Sequence, residues 1–471
     1  MKIFGSMVAL ILAGCSASAP DSRINEVIQS IPGRWSATKE AKAGIDSRWV
    51  KRIGGSKADA LVQEAFRRNP DMRVAAERVN RAVANAKTAG AAMRPQISAD
   101  LNGSRQKQIF VGLPIAGAGG GIPSAVFENF GANLSVGWEP DVWGFRRAGE
   151  ASELANAQAE GNAYRAARAS LAAQVVRAWL ALVEANEQIT LAEETQELLE
   201  STRDIVRDRF DRALAGDGGS AAELRLAESE LGTNEALIAQ RKGEREQAIR
   251  QLEVLLGRYP SGVLKGELVL PEVPPMPPAG LPSELLLRRP DILEAERRFA
   301  STGSLVNQAR RAFYPSFAIT ASAGTTTDAM QGVFNSDFGV WSLAGGLTQP
   351  IWAGGRLRAD LERAKVNDRS NLALLQSVVL RAFGEVEQAL IADRYLCARE
   401  VAIGKALKSA EAAVEAAASE YSTGIGDSLT LITTQNNLIM LASQKVTLKR
   451  LRLDNRVTLH LALGGDYRPA K

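Results

Sequence analysis

Apolar residues recur along two stretches of the chain at alternating spacings of four and three. In the first, Leu171, Val175, Ala178, Leu182, Ala185, Ile189 and Ala192 form an a/d seam. In the second, Leu375, Val379, Ala382, Val386, Ala389, Leu396, Ile403, Leu407, Ala410, Val414, Ala417 and Tyr421 keep one phase, and Asp393 and Glu400 fill two steps with charge. Val175 falls on Val386 and Phe210 on Tyr421 at a common offset of 211. No proline interrupts residues 147–212 or 357–421. Each segment is therefore expected to be one helix of roughly 100 Å at 1.5 Å per residue. Helical patterns at 57–93 and 284–313 precede these segments, and others at 221–256 and 428–463 follow them. The turns between are glycine-rich: Gly216-Asp217-Gly218-Gly219 and Gly424-Ile425-Gly426-Asp427.

Between short and long helices the period changes to two, the signature of a strand with two different faces. Ile97, Ala99, Leu101 and Gly103 alternate with polar residues, as do Phe130, Ala132, Leu134, Val136 and Trp138. In the second half Phe317, Ile319, Ala321 and Ala323 run out, and Trp341, Leu343, Gly345 and Leu347 return. Strands are expected at about 96–110, 126–140, 315–327 and 338–352. The glycine run at Gly117–Gly121 lacks the following helix and lysine of a phosphate loop and reads as a hairpin tip. Trp138, Trp143, Trp341 and Trp352 lie near strand ends, where a membrane barrel carries aromatic girdles, although a core position would suit each equally.

The chain is written twice. Asn69-Pro70-Asp71-Met72 matches Arg289-Pro290-Asp291-Ile292, and Arg94-Pro95-Gln96-Ile97 matches Tyr314-Pro315-Ser316-Phe317, both at an offset of 220. Asp141-Val142-Trp143 matches Pro350-Ile351-Trp352 at an offset of 209. Residues 258–282 hold seven of the 18 prolines and read as an extended linker between repeats at 57–257 and 283–465, with a short tail at 466–471.

Composition narrows the chemistry. The chain has 471 residues, 45% hydrophobic, with a net charge of +4, one histidine (His460) and two cysteines (Cys15, Cys397). That inventory leaves no disulfide framework and argues against thiol, Ser-His-Asp or most metal chemistry. The basic surplus is too small to imply nucleic acid. Cys397 on the long-helix pattern reads as a small packed residue and His460 as structural. Residues 1–14 read as a signal peptide, and Leu12-Ala13-Gly14-Cys15 resembles the bacterial lipobox, with Cys15 as the lipidated first residue of the mature chain and 15–56 as an N-terminal extension. Ser16 follows, in place of an inner-membrane retention Asp, so the outer membrane is the expected destination.

With no later run of 18 apolar residues, any crossing must use strands. Four strands cannot close a membrane barrel, and open edges are not tolerated in lipid. Two copies give eight strands with a filled interior; three give twelve, with room for an aqueous lumen. The expected fold is mainly α with transmembrane β: a duplicated protomer whose trimer forms a 12-strand outer-membrane β-barrel, four strands per protomer, continued by a long periplasmic α-helical barrel.

These parts resemble the TolC/OprM-type outer-membrane efflux proteins, specifically their lipoprotein branch. The resemblance rests on the lipobox, Trp138-Glu139-Pro140-Asp141-Val142-Trp143-Gly144, Arg289-Pro290-Asp291-Ile292, Phe313-Tyr314-Pro315-Ser316, Pro350-Ile351-Trp352 with Gly354-Gly355-Arg356, and 421–429. It implies a homotrimeric duct, not an enzyme, and no cofactor beyond the covalent N-terminal lipid (diacylglycerol and palmitate). Its implied partners are a periplasmic adaptor and an inner-membrane proton-driven pump, and its cargo drugs and other small toxic compounds. In this family a Leu, an Asp and an Arg after the second glycine turn line the periplasmic constriction. Leu429 matches the Leu, but Thr433 stands at the Asp position and Asn436 at the Arg position. Asp427 and Asp217 at the turn tips are the remaining sources of charge, or else solvated turn residues. Tyr421 and Phe210 read as helix packing. The alternatives are the outer-membrane duct of an ATP-driven protein-secretion system and, in another class, a structural periplasmic lipoprotein or adaptor.

Overall fold

The computed structural model describes residues 34–37, 48–111, 124–213, 220–280 and 282–465. Its helices are α1 (Trp49–Arg68), α2 (Pro70–Ala91), α3 (Phe145–Ala213), α4 (Ala221–Leu255), α5 (Leu285–Arg288), α6 (Pro290–Arg311), α7 (Arg356–Ser422) and α8 (Ser428–Ala462). Strands β1 (Gln96–Ile109) and β2 (Ser124–Trp138) lie between α2 and α3, and β3 (Ser316–Thr325) and β4 (Gly339–Thr348) between α6 and α7. The chain divides into two compact units: one of 1–73, 165–293 and 376–471, the other of 74–164 and 294–375.

The first unit is helical, and the heptad seam forms part of its core, together with Trp49, Trp179, Leu180, Leu252 and Leu448. Val175, Leu182, Ile189 and Ala192 on α3, with Val379, Ala382, Val386, Ala389, Ile403, Leu407, Ala410 and Ala417 on α7, are all buried. The two charged interruptions of the α7 seam are matched from α8. Arg456 Nη1 donates to Asp393 Oδ1 at 2.5 Å with both side chains buried, and Arg452 pairs with Glu400. Burial without such partners would leave an uncompensated charge in the seam.

The repeated Pro-Asp tetrads prove to be helix junctions. Asn69 and Arg289 each precede a proline at the first position of a helix and are held extended (ψ 124° and 121°), as a following proline ring requires. Each side chain also caps the last helix of its own repeat. Asn69 Nδ2 donates to Leu255 O of α4 at 2.9 Å, and Arg289 Nη1 to Ala462 O of α8 at 3.0 Å. Those helices end in the same way, with Gly257 at φ 71° and Gly464 at φ 77°. A Cβ at Gly257 would stand 2.6 Å from Arg68 O, so only glycine lets helix end and junction close up.

The start of the proline-rich linker is held by a buried acid of α4. Buried Glu253 accepts from Gly262 N at 2.8 Å and Val263 N at 3.1 Å. Burial alone would raise its pKa, but the backbone N–H groups outweigh it and hold the carboxyl below its ordinary value. A folded pKa below the unfolded one gives stability that is present above the unfolded value, about 4.3, and lost as pH falls through the folded value. The loss in melting temperature on Glu253→Gln should therefore be full at pH 7 and shrink below about pH 4. A pH-independent difference would show that the ionised form is not what anchors the linker. Trp35 fixes the described piece of the N-terminal extension, donating from Nε1 to Gly280 O at 3.0 Å.

The second unit carries an antiparallel sheet in the order β1-β2-β3-β4. Register sorts the residues into two faces. One presents apolar rows such as Ile97–Val136–Ala321–Leu343 and Ala99–Leu134–Ala323–Trp341. The other presents a row of four serines, Ser98–Ser135–Ser322–Ser342, with Oγ–Oγ bonds of 2.7 Å and 2.8 Å within the two hairpins. Ile97, Leu101, Trp341, Leu343 and Leu347 are exposed on the apolar face, and among the described residues no strand pairs with the outer edge of β1 or of β4. All four strand-end tryptophans are exposed rather than in a core. Cys397 departs from expectation. It is exposed, because it is one residue off the seam position Leu396, and neighbouring helical residues point about 100° apart. His460 is buried and stacks on Trp49 at 5.8 Å.

Candidate functional site

The α7–α8 turn and the start of α8 hold the described residues expected at a periplasmic constriction. Gly424, at φ 82°, lets the chain leave α7, and Ile425 N and Gly426 N both return to Glu420 O. Asp427 then caps α8, accepting from Thr430 N at 2.7 Å and from the Thr430 hydroxyl at 3.0 Å. The backbone hydrogen bond from Thr430, then that from its hydroxyl, hold the carboxyl below its ordinary value. Asp427 is thus exposed and engaged as a cap.

From this start α8 sorts its side chains cleanly. Ser428, Leu431, Ile432 and Gln435 are buried, whereas Leu429, Thr433, Asn436 and Met440 form one exposed stripe at spacings of four, three and four. Leu429 is 60% exposed. The Thr433 hydroxyl turns back to its own helix, donating to Leu429 O at 2.8 Å. Asn436 Nδ2 donates to Glu230 Oε2 of α4 at 3.3 Å. A carboxylate therefore does reach this stripe, but from the first repeat, 206 residues away in sequence, where inspection of α8 alone could not find it.

Behind the stripe, Val206, Ala227, Ala417, Tyr421 and Leu431 form a small core with Leu224 against it. Tyr421 packs there, its ring under the Arg209 guanidinium at 4.4 Å, while Arg209 Nη1 donates to Tyr421 O at 3.2 Å. Arg209 thereby ties the end of α3 to the end of α7. Phe210 is half-buried. Asp217 and Cys15 lie outside the described residues. Among the described residues no group of three or more His, Cys, Asp or Glu side chains is placed to hold a metal ion.

Residues 61–258 and 281–465 match the family model described as outer membrane efflux protein. The chain belongs to that family. It is 28% identical to the pyoverdine export outer membrane protein OpmQ of Pseudomonas aeruginosa, over 99% of this chain and 97% of that protein. It is 27% identical to the cation efflux system protein CusC of Escherichia coli, over 99% of both. A crystal structure of CusC superposes with a TM-score of 0.81 at 26% identity, covering 93% of this chain and 97% of that one. The antibiotic efflux pump outer membrane protein ArpC of Pseudomonas putida is 28% identical, over 98% and 95%. This outer-membrane efflux protein is thus a channel component of an efflux system in the outer membrane, with the four-stranded sheet as its membrane element.

Proposed function

We propose that this efflux protein works as a homotrimer, a passive duct for drugs and other small toxic compounds, with a periplasmic adaptor and a proton-driven inner-membrane pump. The observation that carries the trimer is the sheet. Its apolar face suits lipid, but among the described residues no strand pairs with the outer edges of β1 and β4, and open edges cannot stand in lipid; three copies supply twelve strands that close. Exposed Leu380, Ile391, Tyr395 and Val401 on α7 give a neighbouring copy an apolar surface to cover. Cargo of mixed chemistry is supported by the Leu429–Met440 stripe, which bears no formal charge of its own, and by the antibiotic efflux named for ArpC. We further propose that Cys15 carries diacylglycerol and palmitate as a membrane anchor, on the strength of the lipobox.

The test is cross-linking in native membranes, purification in detergent and identification of what is bound. A trimer recovered with an adaptor and a proton-driven pump, and an N-terminal peptide bearing the lipid mass on Cys15, are the expected results. Recovery of an ATP-driven transporter would move the duct to protein secretion. A dimer only would overturn the closure argument, and an unmodified Cys15 the anchor.

A further inference from the structure

The end of the sheet that meets the helices carries a collar of arginines. Arg94 stands between α2 and β1, and Arg310 and Arg311 close α6 before β3. Arg146 and Arg147 open α3 after β2, and Arg356 and Arg358 open α7 after β4. All of them belong to the same compact unit as the sheet. Within 90–95, 139–147, 308–315 and 349–358 the acids are Glu139 and Asp141, so the collar has a net charge of +5 per chain. Extending each segment by six residues along its helix adds Lys87 and Arg363 against Glu150, Glu153, Asp360 and Glu362, and +3 remains. The opposite end of the sheet differs. Arg105 and Lys107 are set there against Glu128, Asp328 and Asp337, and residues 110–123 contain no charged side chain, which leaves −1.

Ion pairs within the collar leave three guanidinium groups over. Arg146 pairs with Glu139, Arg147 with Asp141 and Arg356 with Asp360, while Arg311 donates to Gly144 O at 2.6 Å. Arg94, Arg310 and Arg358 are exposed and have no acidic partner among the described residues. Aromatic side chains stand at the same level. Trp138 Nε1 donates to Met93 O at 3.0 Å, and Trp143 Nε1 to Pro315 O at 2.8 Å. The Trp143 ring lies 5.5 Å from that of Tyr314, and Trp352 is 88% exposed. Exposed indoles tied to backbone at their polar tips mark the headgroup layer of a membrane barrel. Unpaired guanidinium groups in that layer have the fork geometry that a phosphate accepts, and an anionic headgroup supplies the charge they lack.

We infer that this collar binds the phosphate headgroups of anionic phospholipids in the leaflet next to the periplasm, with Arg94, Arg310 and Arg358 as the contacts that select them over zwitterionic lipid. The inference rests on the sheet lying in the outer membrane, and the experiment reads the two separately. The full-length protein is reconstituted into phosphatidylcholine vesicles with a trace of spin-labelled phosphatidylglycerol or of spin-labelled phosphatidylcholine. Electron spin resonance then gives the immobilised fraction of each label. Phosphatidylglycerol should associate at least about fivefold more strongly than phosphatidylcholine, fivefold being the effect of one basic residue at an anionic surface. The triple variant Arg94→Gln, Arg310→Gln and Arg358→Gln should abolish that preference. It should leave the immobilised fraction of phosphatidylcholine unchanged, which shows that the variant still inserts. Arg105→Gln with Lys107→Gln, at the other end of the sheet, should keep the preference of the parent. Equal association of both lipids with the parent would overturn the site. So would a preference that survives the triple variant, or one lost as fully in the Arg105 and Lys107 variant. Absence of immobilised phosphatidylcholine around the parent would overturn the membrane placement of the sheet and the site with it.

Discussion

Replacing Arg456 with alanine should destabilise the helical unit by about 3–5 kcal/mol, the cost of leaving a buried carboxylate without its partner. Asp393 sits in the α7 seam among Ala389 and Leu390, and both members of the pair are nearly inaccessible. Arg456 also donates from Nε to Pro274 O at 3.0 Å, so a single guanidinium joins α8, α7 and the linker. The double variant Asp393→Leu with Arg456→Met removes both charges and keeps apolar volume. It should recover most of the loss, since replacing a whole buried pair is often neutral or stabilising. Urea-unfolding midpoints of the two variants and the parent in detergent decide the matter. If Arg456→Ala were as stable as the parent, Asp393 would be solvated in the assembled protein and the seam would not be dry there.

This pair also shows what sequence can and cannot disclose. The heptad phase located the long helices and most of the buried residues of α7, because burial in a long helix is a local, periodic property, but on α3 it named only part of a broader buried face that also holds Ala172, Val176, Trp179, Leu180 and Val183. It equally marked Asp393 and Glu400 as interruptions. Their partners lie 63 and 52 residues away, and no local rule connects them. The tetrads were legible as repeats, but their work of capping α4 and α8 needed the fold. Alternation gave each strand two faces, whereas the four-serine row exists only once the register sets Ser98 opposite Ser135, and Ser135 opposite Ser322. Glu230 escaped for the same reason. Cys397 was misplaced because adjacency to a seam residue is not membership of the seam.

Leu429→Ala should raise conductance through the reconstituted channel several-fold, the largest functional effect expected of any single change. Leu429 is the second residue of α8, on a first turn fixed by the Asp427 cap, and its side chain stands outward from a buried base of Leu431 and Ile432. If the proposed trimer brings three such side chains together, the resulting constriction of apolar groups resists ions by excluding water as well as by its width. Thr433→Ala should change little, because the Thr433 hydroxyl is already spent on Leu429 O and Thr430 O. Leu429→Ser separates the two causes. If width dominates, it should match alanine; if dewetting dominates, it should conduct more than alanine despite its similar size. Single-channel recording in planar bilayers gives the order of the three variants. Conductance unchanged in Leu429→Ala would remove this residue from the constriction, and would shift attention to the Arg209–Tyr421 tie that holds the ends of α3 and α7 together.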